Sequence, residues 1–339
     1  MVKANAYGHG VGPVARTLET EGCRWFAVGT VDEGLELRAE GISSPVLLLQ
    51  GAAPEDAAVL VQARLTPVMP CLECLEALGR ETDRLGSALP IHVKFDTGMG
   101  RLGLAPDEAK QLPEVLRNHA SLRLEGVATH LARAGESPET TRAQLGRFEE
   151  VLAVLRGSGL SPGLIHAANS AACLSEPAAL YGCVRAGIAL YGVAPEPGLA
   201  PCADLQPALS WTTAIEHIRC VPEGAAISYG GTFVTRRPSR LALVPVGYAD
   251  GYRRALGNRG QALVRGRRVP VVGRVCMDIA ILDVTDAAEA VAGDLVTLIG
   301  TQGPEVISAH DVAAWLDTIP YEILCGIGNR VPRVYEAGE

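Results

Sequence analysis

The sequence predicts a (β/α)8 barrel of the TIM type followed by a mostly β C-terminal domain. Three observations carry this. The first two thirds of the chain alternate short β-branched runs with helical stretches, the pattern of strands joined by helical crossovers. Near Leu205 the texture changes to strand-like runs broken at short spacing by Gly, Pro, Asn and Asp. The length of 339 residues, 48% of them apolar, is enough for two cores. The expected division is a barrel over 1–204 and a β domain over 205–339.

In chain order, the expected barrel strands are residues 1–3, 25–28, 46–49, 65–68, 91–95, 124–129, 164–168 and 183–185. The first is a stub. A doubly wound sheet is the alternative if that count is off. Thr30 with Glu33 makes a capping box ahead of a helix, and Pro54 opens the next helix as a first-turn proline. In the second domain, strands are expected over 208–221, 241–246, 261–264, 268–272, 279–284 and 295–299, with a helix over 309–316 capped by Ser308 and Asp311.

Composition excludes several classes. Lys+Arg number 30 against 38 Asp+Glu, a net charge of −8, and aromatics are 4%. That balance disfavours a nucleic-acid partner, which would ask for basic and stacking surfaces. No run reaches the ~18 apolar residues of a transmembrane helix. The chain opens without the apolar stretch of a signal peptide. The nine cysteines are odd in number and scattered, so a reducing, cytoplasmic setting is expected rather than a disulfide framework. Cys71 and Cys74 form one CxxC with no second pair and no nearby histidine. They read as two small apolar side chains, not as a zinc or redox site. The seven histidines lack ligand spacing, and no metal is expected.

Polar residues gather at the expected C-terminal ends of strands one, five, six, seven and eight: Lys3; Lys94, Asp96 and Arg101; His130; Asn169 and Ser170; Arg185 with Gly187 and Ile188. In a barrel that face carries the active site, and the loops after strands seven and eight often cradle a phosphate. Position alone makes Lys3 a solvated charge near a chain start. Its apolar predecessor and the following Ala4-Asn5-Ala6-Tyr7-Gly8-His9-Gly10 argue instead for a desolvated amine able to form a Schiff base. His9 reads as a loop residue and His166 as a core-edge hydrogen-bonder.

The run from Val2 to Gly10 resembles the pyridoxal-phosphate lysine motif of the alanine racemases. The resemblance continues through Lys94–Gly103, Thr129-His130, His166–Ala171, Val184–Gly192, Ser228-Tyr229-Gly230, Gly247–Gly251, Gly273–Asp278 and Arg330-Val331-Pro332-Arg333. It implies a pyridoxal 5'-phosphate barrel plus a β domain, working as a homodimer and supplying D-alanine for peptidoglycan. Carried over residue by residue, Lys3 is the lysine that holds the cofactor and one catalytic base. Tyr229, delivered from the other subunit, is the second base. Tyr7, Asn169, Ser170, Gly187 and Ile188 bind the cofactor, the phosphate above all. Arg185 faces the pyridine nitrogen with His130 beside it. Arg101 steers Tyr229 and the substrate carboxylate, with Met277 close by. Lys94 matches a lysine often carbamylated in the family. Tyr248, Arg254 and Arg274 resemble entry-channel residues. In the family a helix, the rest of strand one and a strand of the β domain precede the lysine motif, and this sequence begins after them. Asn329 stands where many members have tyrosine, and resembles the serine racemases of vancomycin resistance. Serine is therefore a second substrate to expect beside alanine.

The chemistry explains the residue types. A Cα–H is a very weak acid, and the cofactor ring delocalises the carbanion left by its removal. Racemisation removes a proton from one face and returns one to the other, so two bases are needed. Lysine and tyrosine both have ordinary pKa values of about 10 and need tuning by burial and neighbouring cations. Arginine opposite the ring nitrogen does not readily release a proton, and so keeps the ring a weaker electron sink than an acid there would. A non-catalytic pyridoxal-phosphate barrel, an inactive fragment or a decarboxylase are the rival readings. The first would resemble a lone barrel, whereas this chain keeps Tyr229 and the domain around it.

Overall fold

A computed structural model describes residues 1–336. Its first part is a curled, wholly parallel sheet of six strands in chain order: β1 (Phe26–Val28), β2 (Val46–Leu48), β3 (Leu65–Met69), β4 (Leu89–Lys94), β5 (Leu122–Ala128) and β6 (Leu164–His166). Parallel strands covered on both faces read as unbroken apolar runs. Val46, Leu47 and Leu48 are accordingly all buried. The helices between them obey the local signals. Thr30 and Glu33 cap Val31–Ala39 reciprocally, and Pro54 starts a short turn that runs into Ala57–Ala63.

The expected first and eighth strands need correction. Val2 still donates its N–H to the Ala27 carbonyl at 3.0 Å, but from Ala4 the backbone leaves the extended region. Residue 183 makes a single parallel bridge to His166, and Arg185 donates its N–H to the Ala168 carbonyl at 2.9 Å. Cys183 and Arg185 are electrostatic neighbours of the Met1 amino group, so the eighth position lies near the first. The barrel curls round in six regular strands, and isolated contacts mark the other two places.

The reading of the CxxC pair is also corrected. Cys71 and Cys74 are joined as a disulfide, their Cα atoms 5.3 Å apart. Cys71 is the N-cap of the helix Leu72–Leu85, and its sulfur accepts the Cys74 N–H. One helical turn brings residues three apart onto one side, within the span a disulfide bridges.

The chain clusters into two compact units, Met1–Leu190 with Ala194–Leu205, and Tyr191–Val193 with the residues from Gln206 onward. The second is built on antiparallel strands: β7 (Trp211–Ala214), β8 (His217–Val221), the small hairpin β9 (Ala226–Ile227) and β10 (Phe233–Val234), β11 (Ser239–Val244), β12 (Gln261–Val264), β13 (Arg267–Pro270), β14 (Ala280–Asp283), β15 (Leu295–Gln302) and β16 (Glu305–Ile307). β14, β11 and β8 form one sheet. β13, β12, β15 and β16 form another, with β7 also on β15. The expected strand over 208–221 is thus two strands in different sheets, both paths leaving from Ile215, whose N–H bonds the Asp294 carbonyl. Val244, Leu263, Val264, Leu282 and Val296 fill the core between. The helix Ala309–Leu316 carries the expected Ser308–Asp311 capping box. Among the described residues, no helix is long and apolar enough to cross a membrane.

Candidate active site

Lys3 opens a turn that the sequence did not announce. Ala4, Asn5, Ala6 and Tyr7 all have φ between 52 and 54°, a full turn of left-handed helix made of L-residues. Each such residue costs about 1–2 kcal/mol, so the turn persists only because it is tied down. Ala6 donates to the Val2 carbonyl and Gly8 to the Ala4 carbonyl. The Glu33 carboxylate accepts the Ala4 N–H at 2.7 Å, and the Asn5 side chain accepts the Val11 N–H at 2.7 Å. The result places half-exposed Lys3 at one end of the turn and buried Tyr7 at the other.

Tyr7 points at the loop after the eighth strand position. An ideal Cβ on Gly187 would fall 2.6 Å from the Tyr7 hydroxyl and 3.5 Å from Ser170 Oγ. The same Ser170 Oγ accepts the N–H groups of Gly187 (2.8 Å) and Ala189 (3.3 Å). Two hydroxyls and two backbone N–H groups therefore meet at a point where only glycine fits, with Ile188 buried beside it. Donors without a carboxylate suit a phosphate. Asn169 does not aim at this point. Its Oδ1 caps the helix Ser170–Ser175 and its Nδ2 donates to the Leu131 carbonyl.

The end of β4 supplies Lys94, and the loop beyond it is wound around Asp96. That carboxylate accepts the N–H groups of Gly98, Met99 and Arg101. Burial, then the Arg101 and Arg185 charges, push the Lys94 amine down to about 8. Arg185 is buried and, among the described residues, donates only to neutral acceptors: His166 Nδ1 at 2.8 Å, the Thr129 and Ala167 carbonyls at 2.7 and 2.9 Å, and His130 Nδ1 at 3.2 Å. Burial pushes its guanidinium down to about 10, which leaves it charged at neutral pH. His130 records the whole cluster. Burial, then the charges of Arg185, Lys94, Arg101 and Lys3, push its imidazole down to about 3. Four cationic side chains from four parts of the chain thus converge on one neutral imidazole.

This unit brings together Lys3, Tyr7, Lys94, Arg101, His130, Ser170, Arg185, Gly187 and Ile188. Sequence reasoning missed His92, buried on β4 and hydrogen-bonded to His166 at 2.8 Å. It also undervalued His166, which is fully buried and touches Arg185 directly rather than lying at the core edge. His9, read as a loop residue, is buried with its Nδ1 on the Ala6 and Tyr7 carbonyls, bracing the left-handed turn.

The second unit gathers its own candidates in one corner. Ser228, at φ 62°, bonds the Arg274 carbonyl at 2.7 Å and turns Tyr229 outward, leaving it 72% exposed. An ideal Cβ on Gly230 would touch the Arg274 guanidinium at 3.4 Å. Tyr248 and Ala249 donate their N–H groups to the carbonyls of Cys276 and Met277. Gly328 donates to Asp250, and Arg330 pairs with Asp250 and Asp278. Arg254 stands on the turn Arg254–Leu256, and the following Gly257 packs against Gly273 and Arg274. Met277, Tyr248 and Asn329 are exposed.

Comparison with known proteins agrees with this geometry. A family model described as the alanine racemase N-terminal domain matches residues 1–195, and one described as the C-terminal domain matches 208–335. An alanine racemase of Symbiobacterium thermophilum is 47% identical over 336 residues, covering 99% of this chain and 89% of its own. One of Halothermothrix orenii is 44% identical over 337 residues, with the same coverage. Among solved structures, the alanine racemase of Bacillus anthracis with bound L-Ala-P superposes with a TM-score of 0.94 at 40% identity, over 99% of this chain and 87% of that one. That of Bartonella henselae, with covalently bound pyridoxal phosphate, gives 0.90 at 32%, over 99% and 91%. These relatives carry the name alanine racemase and lend nothing to the serine reading of Asn329. With both domains matched in order and the relatives aligned over nearly all of its length, the chain belongs to the alanine racemase family.

Proposed function

We propose that this chain interconverts L- and D-alanine with pyridoxal 5'-phosphate as cofactor, in a homodimer in which the partner's Tyr229 completes each site. The observation that carries the reading is the meeting of a cluster of hydroxyl and backbone N–H groups with four cations around one neutral imidazole. Such a place attracts a ligand bearing both phosphate and carboxylate. When bound, the cofactor supplies the electron sink for the carbanion at Cα.

The chain's residues do the rest. Tyr7, Ser170 and the Gly187 and Ile188 backbone hold the phosphate, with Asn169 fixing the helix that presents Ser170. Lys3 attaches the cofactor and moves a proton on one face; Tyr229 does so on the other. Arg185, charged and surrounded by neutral acceptors, offers a hydrogen bond to the ring nitrogen without surrendering a proton. Arg101 takes the substrate carboxylate and orients Tyr229, with Met277 and Asn329 shaping the substrate's surroundings. Tyr248, Arg254 and Arg274 line the approach. The cytoplasmic setting expected from the sequence, and the supply of D-alanine to peptidoglycan, belong to this proposal.

Chirally resolved turnover tests it. The full chain loaded with cofactor should carry L-alanine to a mixture of both enantiomers. Ethylamine as product would mean a decarboxylase, and the reading would fall.

Two further outcomes follow from the geometry. Gly187→Ala drives a methyl group into the Tyr7 hydroxyl. Overpacking of that kind costs about 1–3 kcal/mol, so the dissociation constant for pyridoxal phosphate, read by fluorescence quenching, should rise by about 10- to 100-fold. Lys94 is proposed to carry a carbamate. Its neutral, nucleophilic form is half-populated near pH 8 instead of 10.5. A carbamate would turn the repulsion between Lys94 and Arg101 into attraction. With 13C-bicarbonate, a carbamate resonance should appear as pH rises toward 8 and be absent from Lys94→Arg.

A further inference from the structure

We propose that His92 and Glu125 are positioning residues for Arg185, acting through His166. The four side chains form a directional relay that holds the His166 ring in place and with it the orientation of the guanidinium. The catalytic importance of that orientation rests on the function proposed above; the relay itself does not.

The direction follows from donor chemistry. A guanidinium has N–H donors and no acceptor. Arg185 lies 2.8 Å from His166 Nδ1, so that nitrogen must be the acceptor and the His166 proton must sit on Nε2. Nε2 in turn lies 2.8 Å from His92 Nδ1. His92 must therefore accept there and carry its own proton on Nε2. That N–H faces Glu125 Oε2 at 3.7 Å, and neither of these two buried atoms has a hydrogen bond among the described residues. At 3.7 Å the last link is a charge–dipole attraction, not a hydrogen bond. Both imidazoles are fully buried. His166 is held well below its ordinary pKa, first by burial and then by the Arg185 charge, so it stays neutral and has a tautomer to fix.

The backbone is shaped for this chain of contacts. Along β4 and β5, Ile91 pairs with Leu124, but His92 pairs with Gly126. Glu125 is thus the extra residue of a bulge, a device that re-aims a side chain. Only glycine fits at 126, where an ideal Cβ would fall 2.3 Å from His92 Cε1, 2.5 Å from its Nδ1 and 2.7 Å from the Leu164 carbonyl oxygen. Trp25 stands on the ring at 5.6 Å between centroids, and His166 at 5.0 Å. An apolar side chain in place of His92 would satisfy packing, so a bulge and a buried carboxylate oxygen beside an imidazole point to a polar task.

The test uses the full chain, labelled with 15N-histidine and free of cofactor, so that it does not depend on turnover. Long-range 15N–1H correlations should show His166 and His92 as Nε2–H tautomers. His92→Leu removes the acceptor, and the His166 Nε2–H should then lose its downfield, hydrogen-bonded resonance. His92→Asn, whose Oδ1 takes the place of Nδ1, should keep it. In the loaded enzyme kcat for alanine should fall by about 10- to 100-fold in His92→Leu and be largely restored in His92→Asn, with KM little changed. A His166 that is Nδ1–H in the unmodified chain, or whose Nε2–H resonance is unmoved in His92→Leu, overturns the relay. If His92→Leu fails to fold, Glu125→Gln provides the second reading. The His92 Nε2–H resonance should shift, and an unmoved resonance would remove Glu125 from the relay. A chain with the expected tautomers that did not racemise alanine would refute the proposed function and leave the relay standing.

Discussion

Lys3→Ala should lose alanine racemisation by more than about 10⁴-fold, beyond what removal of one general base usually costs, because the residue is given two tasks. Covalent attachment of the cofactor should go with it, seen as loss of the absorbance of bound pyridoxal phosphate after dialysis. Non-covalent uptake should survive, since the donor cluster at Tyr7, Ser170 and Gly187 does not include the lysine. Lys3→Arg separates the tasks. Arginine keeps the positive charge that His130 feels, but its delocalised guanidinium does not form the covalent link. If charge alone mattered, Lys3→Arg would be active. The expectation is that it resembles Lys3→Ala, and that a small primary amine added to Lys3→Ala restores part of the rate. A Lys3→Ala chain that turned over alanine without added amine would exclude the assignment.

The sequence places most of this site because barrel chemistry sits at strand ends, and strand ends are visible as apolar runs that stop. Lys94 closes β4, and His130, Asn169 and Arg185 lie within a few residues of where the next strands or bridges end. Capping boxes at Thr30 and Ser308 were legible for the same reason, since each is a purely local bargain between a hydroxyl and a carboxylate. What escaped is non-local. No propensity foretells four consecutive L-residues near φ 53°; Ala4–Tyr7 adopt it because Glu33, far along the chain, accepts the Ala4 N–H. Alternation predicts which way His92 points, but not that a bulge at Glu125 and the gap over Gly126 seat it against His166. The Cys71–Cys74 bond was discounted because the count of cysteines argued against a framework, whereas one bridge asks only for two thiols a helical turn apart.

The second large effect concerns Tyr229. Removing its hydroxyl in Tyr229→Phe should lower racemisation by about 10²–10⁴-fold, the usual contribution of a positioned acid or base, while the cofactor's absorbance stays. Stability should hardly change, because the side chain is 72% exposed and the turn that presents it is secured by Ser228 on the Arg274 carbonyl. An exposed tyrosine presented by a serine held at φ 62° is an odd thing to build for a monomer. It makes sense if the surface that receives it belongs to a second copy of the chain. Mixed dimers decide this. Pairing a Lys3→Ala chain with a Tyr229→Phe chain leaves one site with both defects and one with neither, provided each tyrosine serves the opposite protomer. Such a dimer should regain about half the unmodified turnover, although each parent alone is nearly inactive. If each tyrosine served its own protomer, every site would carry one defect and the mixture would stay as inactive as its parents, because the loss of either base stops proton exchange across the two faces.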